Sequence, residues 1–197
     1  MKLFGFLILI AFCSAALAQS CTEGLWRLQE GFGDYLLASM DLQDGVGGEM
    51  TYEGASGDFF LRLTPDHESE DGVLVVANYN LHDYVLNYKI EAGGLGMPMS
   101  ITLNGSRTGI LYTFWNNSGL DVTETSLAEG EITIVGQLMG APMPFSTSGR
   151  DILGASQPGL VGAYECAGDD GLVLRLEADT AQPSNPFYVL EFARVAE

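Results

Sequence analysis

Few side chains in this sequence have the types and spacing that catalysis requires. The chain contains two histidines, His67 and His82, and no Gly-x-Ser-x-Gly motif that would present a serine nucleophile. The acidic stretch 66–72 around His67 has the composition of a solvated turn. Asp169 and Asp170 stand between glycines, and no second carboxylate cluster accompanies them, which favours a turn over an acid–base pair. We therefore predict no catalytic residue and a protein that is not an enzyme.

The methionines are the other candidates for chemistry. Met97 lies two residues before Met99, and Met139 lies four before Met143, so their soft sulfur atoms could bind Cu(I) in an exported protein. Methionine is more often apolar filler in irregular gaps, and we favour that interpretation. The acidic stretch 66–72 lacks the glycine position and final carboxylate of a calcium-binding EF-hand loop. We predict no metal and no cofactor.

The first eighteen residues have the pattern of a signal peptide. Lys2 supplies the positive start, residues 3–12 are apolar, and 16–18 read Ala-Leu-Ala, a small-x-small cleavage site. No later stretch reaches the roughly 20 apolar residues of a transmembrane helix. We predict that residues 1–18 are removed, that 19–197 form one domain, and that the protein is exported to the periplasm or the extracellular space.

Two cysteines remain after the signal peptide, which carries Cys13. Cys21 and Cys166 would meet an oxidising compartment, where two cysteines most simply pair. We predict this disulfide. In the chain-entropy model, closing so long a loop stabilises the fold by roughly 4 to 5 kcal/mol.

The charge balance restricts the partners. Eight basic residues face 26 acidic ones, so the net charge is −18, and loss of Lys2 would make it one unit more negative. Such a field repels phosphate backbones and anionic membrane faces, which argues against nucleic acid. The acidity either maintains solubility or attracts a cationic partner protein.

The elements that must position these residues are β-strands. In residues 159–177 an apolar run ends at Cys166, a Gly-Asp-Asp-Gly turn follows, and Leu172, Leu174 and Leu176 then share one face. A similar sequence motif, with a Gly-Asp turn, occurs at 50–63. Turns recur at the spacing of an all-β protein. We predict an antiparallel meander that forms a barrel, with a two-sheet sandwich as the alternative.

About thirteen strands are predicted in this meander. The stretch 34–43 is ambiguous between helix and strand. We interpret it as the first strand of a hairpin that turns at 44–45 and continues as 46–54. The cleanest alternation places Tyr84, Leu86, Tyr88 and Ile90 on one face. The other predicted strands are 24–28, 58–64, 73–79, 83–91, 97–103, 108–116, 120–126, 131–139, 159–166, 172–177 and 187–195.

A second repeat occurs at 94–100 and 140–146, which share Gly-x-x-Met-Pro-x-Ser. One interpretation is that the repeat only marks a turn, in which glycine bends the chain and proline begins a strand. The other is a methionine-rich lip around an apolar cavity. The second requires both loops to lie at the same end of the fold.

Two short motifs suggest a family. Gly24-Leu25-Trp26 resembles the Gly-x-Trp signature of the lipocalin-like (calycin) barrels, and 82–88 is similar to their Thr-Asp-Tyr-x-x-Tyr segment. The resemblance implies an up-and-down β-barrel that holds a small apolar ligand. It also implies that Trp26 closes one end beneath a basic residue of the last strand, for which Arg194 is the candidate.

The leading hypothesis is thus an exported, non-enzymatic binding protein that carries a small hydrophobic molecule inside a β-barrel. The predicted ligand-binding residues are Trp26, Tyr84, Leu86, Tyr88, Met97, Met99, Phe114 and Met143. The alternative is an acidic protein-interaction module with a filled core, such as an envelope-assembly factor or an inhibitor of a cationic enzyme. The Tyr-x-Cys-x-Gly-Asp phrase at 164–169 is similar to small secreted barrels that inhibit lysozyme-type enzymes.

Overall fold

Antiparallel strands make up most of the computed structural model, which describes residues 22–39, 48–68, 72–116, 119–124, 129–143, 162–177 and 187–196. The predicted all-β, antiparallel class is confirmed. The described elements are β1 (Gly24–Glu30), α1 (Phe32–Ser39), β2 (Glu49–Glu68), β3 (Gly72–Ala92), β4 (Leu95–Asn116), β5 (Gly119–Glu124), β6 (Glu129–Leu138), β7 (Ala141–Met143), β8 (Gly162–Cys166), β9 (Gly171–Glu177) and β10 (Phe187–Arg194).

The strands pair mostly with their neighbours in sequence. The order is β3-β2-β1-β10-β9-β8-β5-β4, and β4 also pairs with β3, so the order of these eight strands returns to its start. The first half of β4 pairs with β6, and β7 follows at the edge. Strand β4 therefore belongs both to the group of eight strands and to the part of the sheet formed with β6 and β7. Its inward-facing residues line the core, and alternate residues from Met99 to Leu103 are buried.

Three strands are about twice as long as the sequence predicts. The predicted pairs 46–54 with 58–64, 73–79 with 83–91, and 97–103 with 108–116 are replaced by single strands, β2, β3 and β4, with residues 46–47 outside the description. The predicted turns between them are wrong, because Gly57, Asp83 and Gly105 lie at bends within strands. Positive φ values serve bulges as well as hairpin turns, so glycine alone does not distinguish the two.

These bends lie beside one another and form what we call the corner, made of Gly57, Asp83 and Gly105. Asp83 has φ of 44°, and its backbone N–H donates a 2.7 Å hydrogen bond to Oδ1 of Asn104. A Cβ at Gly57 would lie 2.0 Å from the carbonyl oxygen of Asp83, and one at Gly105 would lie 2.2 Å from that of Glu131. Only glycine permits both the backbone conformation and this approach.

Helix α1 corrects the predicted hairpin at 34–43. Phe32, Tyr35 and Leu36 are buried, which is the i, i+3, i+4 spacing of one helical face. Asp34 lies in the first turn, where a negative charge is favourable. Among the described residues, no helix is both long and apolar enough to cross a membrane. Residues 40–43 of the predicted hairpin lie outside the description.

Other strand predictions are confirmed. The hairpin at 159–177 contains β8 and β9, with Leu172 and Leu174 buried, while the side chain of Leu176 lies outside the description. Tyr84, Leu86, Tyr88 and Ile90 are all buried on one face of β3, as their alternation predicts.

One end of the core is closed by Trp26. The guanidinium carbon of Arg194 lies 4.3 Å from the centre of the indole ring, as the resemblance implies for this pair. Arg194 also donates from Nε to the carbonyl oxygen of Asp169 at 2.8 Å and from Nη1 to that of Glu23 at 3.2 Å. The arginine thus joins the first strand to the β8–β9 turn across a fully buried tryptophan.

We predict that Arg194→Ala lowers the free energy of unfolding by about 1 to 3 kcal/mol, because it removes a cation–π contact and two charged hydrogen bonds. Urea denaturation measures the change. Arg175→Ala is the matched control, since Arg175 forms an exposed 3.1 Å ion pair with Glu165 and should cost less than about 1 kcal/mol. Equal losses in the two variants would contradict this account.

We also predict that Gly57→Ala lowers the free energy of unfolding by more than about 3 kcal/mol, because positive φ and a backbone clash act together. The control is Gly54→Ala, which shares positive φ but has no atom within 4 Å of the added carbon. It should cost only about 1 to 2 kcal/mol. Denaturation curves that show Gly54→Ala as the more destabilising change would refute the corner's close contact.

Candidate binding end

The two Met-Pro repeats lie side by side at one end of the sheet. Met99 of β4 stands opposite Leu138 of β6, and the backbone N–H of Met139 donates a 2.9 Å hydrogen bond to the carbonyl oxygen of Pro98. The β3–β4 and β6–β7 turns are therefore neighbours. The condition that the sequence sets for a methionine-rich lip is met by the described part of both repeats, and residues 144–146 lie outside it.

Apolar side chains at this end are only partly covered. We define the lip as the partly buried apolar side chains of β4, β6 and β7 that pack against the core, namely Met97, Ile134, Leu138 and Met143. Strand register places Leu138 beside Met99, and Met143 beside Gly136. Because directly paired residues share a face of the sheet, the lip continues the inward face of the core.

The predicted ligand-binding residues divide into two groups. Trp26, Leu86 and Tyr88 have no exposed surface, and Tyr84 and Met99 are buried. A side chain next to a cavity that could hold water would keep some accessible surface, so the core is filled around these first three. A ligand could reach them only if core side chains moved, and their role in binding stays a prediction.

The remaining predicted residues stand at the edge of the core. Met97 and Met143 belong to the lip. Phe114 lies in β4 opposite Gly72 and Asp121, and its side chain lies outside the description. The structure thus brings the two lip methionines close to the buried Met99 through β4, β6 and β7.

Helix α1 fills the space above the corner with aromatic rings. Phe32 contacts Phe59 in an edge-on arrangement with ring centres 5.2 Å apart, and it lies 6.0 Å from Tyr84. Phe59 also contacts Phe192 of β10 at 6.1 Å, and Tyr35 contacts Tyr188 at 5.6 Å. The helix therefore packs its rings against both β2–β3 and β10.

A close contact holds helix α1 on the sheet. The hydroxyl of Tyr88 donates a buried 2.9 Å hydrogen bond to the carbonyl oxygen of Gly33. Gly33 also lies against Tyr52, since a Cβ there would be 2.2 Å from the Tyr52 ring. The rings of Tyr52 and Tyr88 are 5.6 Å apart. The half-buried Tyr52 thus lies between helix α1 and the strands that carry the lip.

Sequence reasoning missed Phe32, Gly33 and Tyr35 because 34–43 was assigned to a hairpin. The helical spacing of Phe32, Tyr35 and Leu36 was the signal that could have identified them. It also missed Arg107, which is buried at an inward position of β4 opposite Tyr79. Strand alternation places this residue inward, but a charged side chain is ordinarily assigned to the exposed face.

The environment of the tyrosines favours their neutral form. Burial raises the pKa of Tyr84 and Tyr88 far above the ordinary phenol value, and the neighbouring Tyr52 adds to the effect. Burial also raises the pKa of Tyr52, and the negative charges of Asp34 and Glu30 raise it further by smaller amounts. Neutral phenols in an apolar setting, with that of Tyr88 donating to the Gly33 carbonyl oxygen, suit packing and apolar contact.

The part of the chain that the structure describes contains no cluster of metal-ligating side chains. Within the described ranges, no three His, Cys, Asp or Glu side chains lie close enough to hold an ion. Cys166 takes part in a disulfide bond. Cys21, its predicted partner, lies outside the described residues, so the identity of the pair stays a prediction.

The raised tyrosine pKa values predict alkaline sensitivity. Above about pH 10 the unfolded chain loses phenol protons, whereas folded Tyr84 and Tyr88 retain theirs. The unfolded state then binds fewer protons, so the contribution of these two tyrosines to the free energy of unfolding is constant below about pH 9 and falls above about pH 10. Urea denaturation across this range, with tyrosinate absorbance as a second signal, measures the fall.

Tyr88→Phe is the control for this prediction. It should lower the free energy of unfolding at neutral pH by about 1 to 3 kcal/mol, because the Gly33 carbonyl loses its buried donor. The further loss above about pH 10 should be smaller than in the parent chain. An alkaline loss of the same size in both proteins would show that Tyr88 does not cause it.

Comparisons of the chain with protein-family models, with curated proteins and with solved structures find no match. The lipocalin-like resemblance therefore stays a prediction.

Proposed function

We propose that this is an exported, non-enzymatic binding protein that holds a small apolar molecule at the lip, beside helix α1. The observation that carries the proposal is that two Met-Pro repeats, far apart in sequence, lie on neighbouring strands and leave apolar side chains partly exposed there. We further propose that the returning strand order forms a β-barrel whose interior is filled near Trp26 and open to a ligand only at the lip.

The composition of the lip suits a ligand of variable shape. Methionine is unbranched and flexible, and its sulfur is polarisable, so Met97 and Met143 can adapt to apolar molecules without a rigid fit. Tyr52 adds an aromatic face with a phenol that can orient a polar group. The ligand class is therefore a small hydrophobic molecule with at most one polar group.

Entry of a large ligand requires helix α1 to move. The contacts of helix α1 with the sheet include the hydrogen bond from Tyr88 to Gly33, the aromatic packing of Phe32 and Tyr35, and the burial of Leu36. A ligand that replaces the Phe32 and Tyr35 rings with its own apolar surface could offset the lost packing. Binding at the lip alone would leave the helix in place.

The test is native mass spectrometry of the mature protein purified from its exported compartment, compared with the denatured mass. We predict a mass excess that is lost on denaturation. After removal of the ligand, rebinding should weaken about tenfold for Met97→Gln or Met143→Gln, because each removes apolar contact. Val135→Thr is the matched control, since this residue is 48% exposed on the opposite face of β6, and it should bind normally.

A second candidate function is an acidic interaction module, favoured by like charges that face one another across strands. Glu30 is paired with Glu191, and Glu49 stands opposite Glu91, whose charge is balanced in part by its ion pair with Lys89. Such pairs are unfavourable in the free protein, and a cationic partner would relieve them. A native mass without excess, together with salt-sensitive binding to a cationic lysozyme-type enzyme, would replace the ligand proposal with this one.

A further inference from the structure

The two hairpins at the lip present large apolar side chains to solvent. Ala92 pairs with Leu95 and Leu138 pairs with Ala141, so each turn has two residues between paired strands. Leu95 is 71% exposed and Met139 is 68% exposed. We define the tip as Leu95, Met139 and the exposed Pro98, Ala141 and Pro142.

The backbone of the β6–β7 turn is strained at the position where it exposes Met139. Met139 has φ of 53° and Gly140 has φ of 79°, so both have the positive φ of a type I′ turn. The first position of such a turn favours Asn, Asp or Gly, and a long apolar side chain there is unusual. Because the Met139 side chain is exposed, it makes little packing contact within the fold that could offset this strain. Strain of this kind is typical of functional positions.

The tip is also free of charge in a strongly acidic chain. Residues 92–106 and 132–143 contain no Asp, Glu, Lys or Arg, although the whole chain has a net charge of −18. The nearest charges on the neighbouring strands are Lys89 and Glu91 of β3, which form a 2.6 Å ion pair, and Glu49 of β2, which stands opposite Glu91. The two hairpins that form the tip are therefore uncharged themselves.

We infer that the tip docks onto a zwitterionic lipid surface, into which Leu95 and Met139 insert. A stable protein interface buries roughly 800 Å² on each partner, which the tip's few side chains do not supply. Membrane binding scales with the apolar area inserted, so two large apolar side chains without a desolvated charge support weak, reversible binding to a lipid interface. The net negative charge makes anionic lipid unfavourable, so the surface must carry no net charge.

The experiment is flotation of the full mature chain with phosphatidylcholine vesicles. Binding is expected, and it should weaken when the vesicles also contain phosphatidylglycerol, most strongly at low salt. Leu95→Ser with Met139→Asn should reduce the partition coefficient by at least about tenfold. Asparagine suits the type I′ turn, so the melting temperature of Met139→Asn should be equal or higher, which excludes unfolding as the cause.

Val135→Thr again serves as the control and should leave vesicle binding unchanged. Absence of binding to phosphatidylcholine, or equal binding by the double variant, would overturn the inference. Sedimentation velocity of the same proteins tests a second copy as the occupant. Self-association that the double variant loses, without vesicle binding, would assign the tip to a dimer instead. These outcomes do not depend on whether a small molecule occupies the lip.

Discussion

The structure depends on the bend that three long strands make together at the corner. Gly57 approaches the carbonyl oxygen of Asp83, and Gly105 approaches that of Glu131, so closely that no side chain fits at either position. The bend allows each strand to contribute to two parts of the sheet. On one side of the corner, the second halves of β2 and β4 and the first half of β3 lie in the part of the sheet that contains β1 and β5. On the other side, the remaining halves of these strands lie toward β6 and β7.

The aromatic rings of helix α1 pack on this bent surface. Phe32 contacts Phe59 from the first side of the corner and Tyr84 from the other, so the helix fixes the angle between the two halves. Aromatic pairs of this kind add to the free energy of burial through their edge-on geometry. The same packing fills the interior that a carrier would otherwise keep open, and for this reason we propose that a ligand binds at the lip.

Charge is distributed in a way that matches this position. The acidic residues repel anionic partners, but the strands that form the lip carry no charge through 92–106 and 132–143. This distribution supports the proposals of an apolar ligand and of an uncharged lipid surface at this end, because the two hairpins carry no carboxylate of their own to desolvate. The opposite end is closed by Trp26 and Arg194, whose contact leaves no exposed indole surface.

The sequence by itself determined the antiparallel all-β class, the β8–β9 hairpin and the buried face of β3. These depend on alternation and turn residues, which are local signals. The contact of Trp26 with Arg194 was expected only from the lipocalin-like resemblance, and the structure shows it. Only the tertiary structure decided whether Gly57 and Gly105 formed turns or bends, because a positive φ permits either and strand pairing selects one. It also decided that 32–39 is helical, since an aromatic surface on the bent strands stabilises that face. The adjacency of the two Met-Pro repeats likewise required the pairing of β4 with β6, a long-range contact that no local pattern specifies.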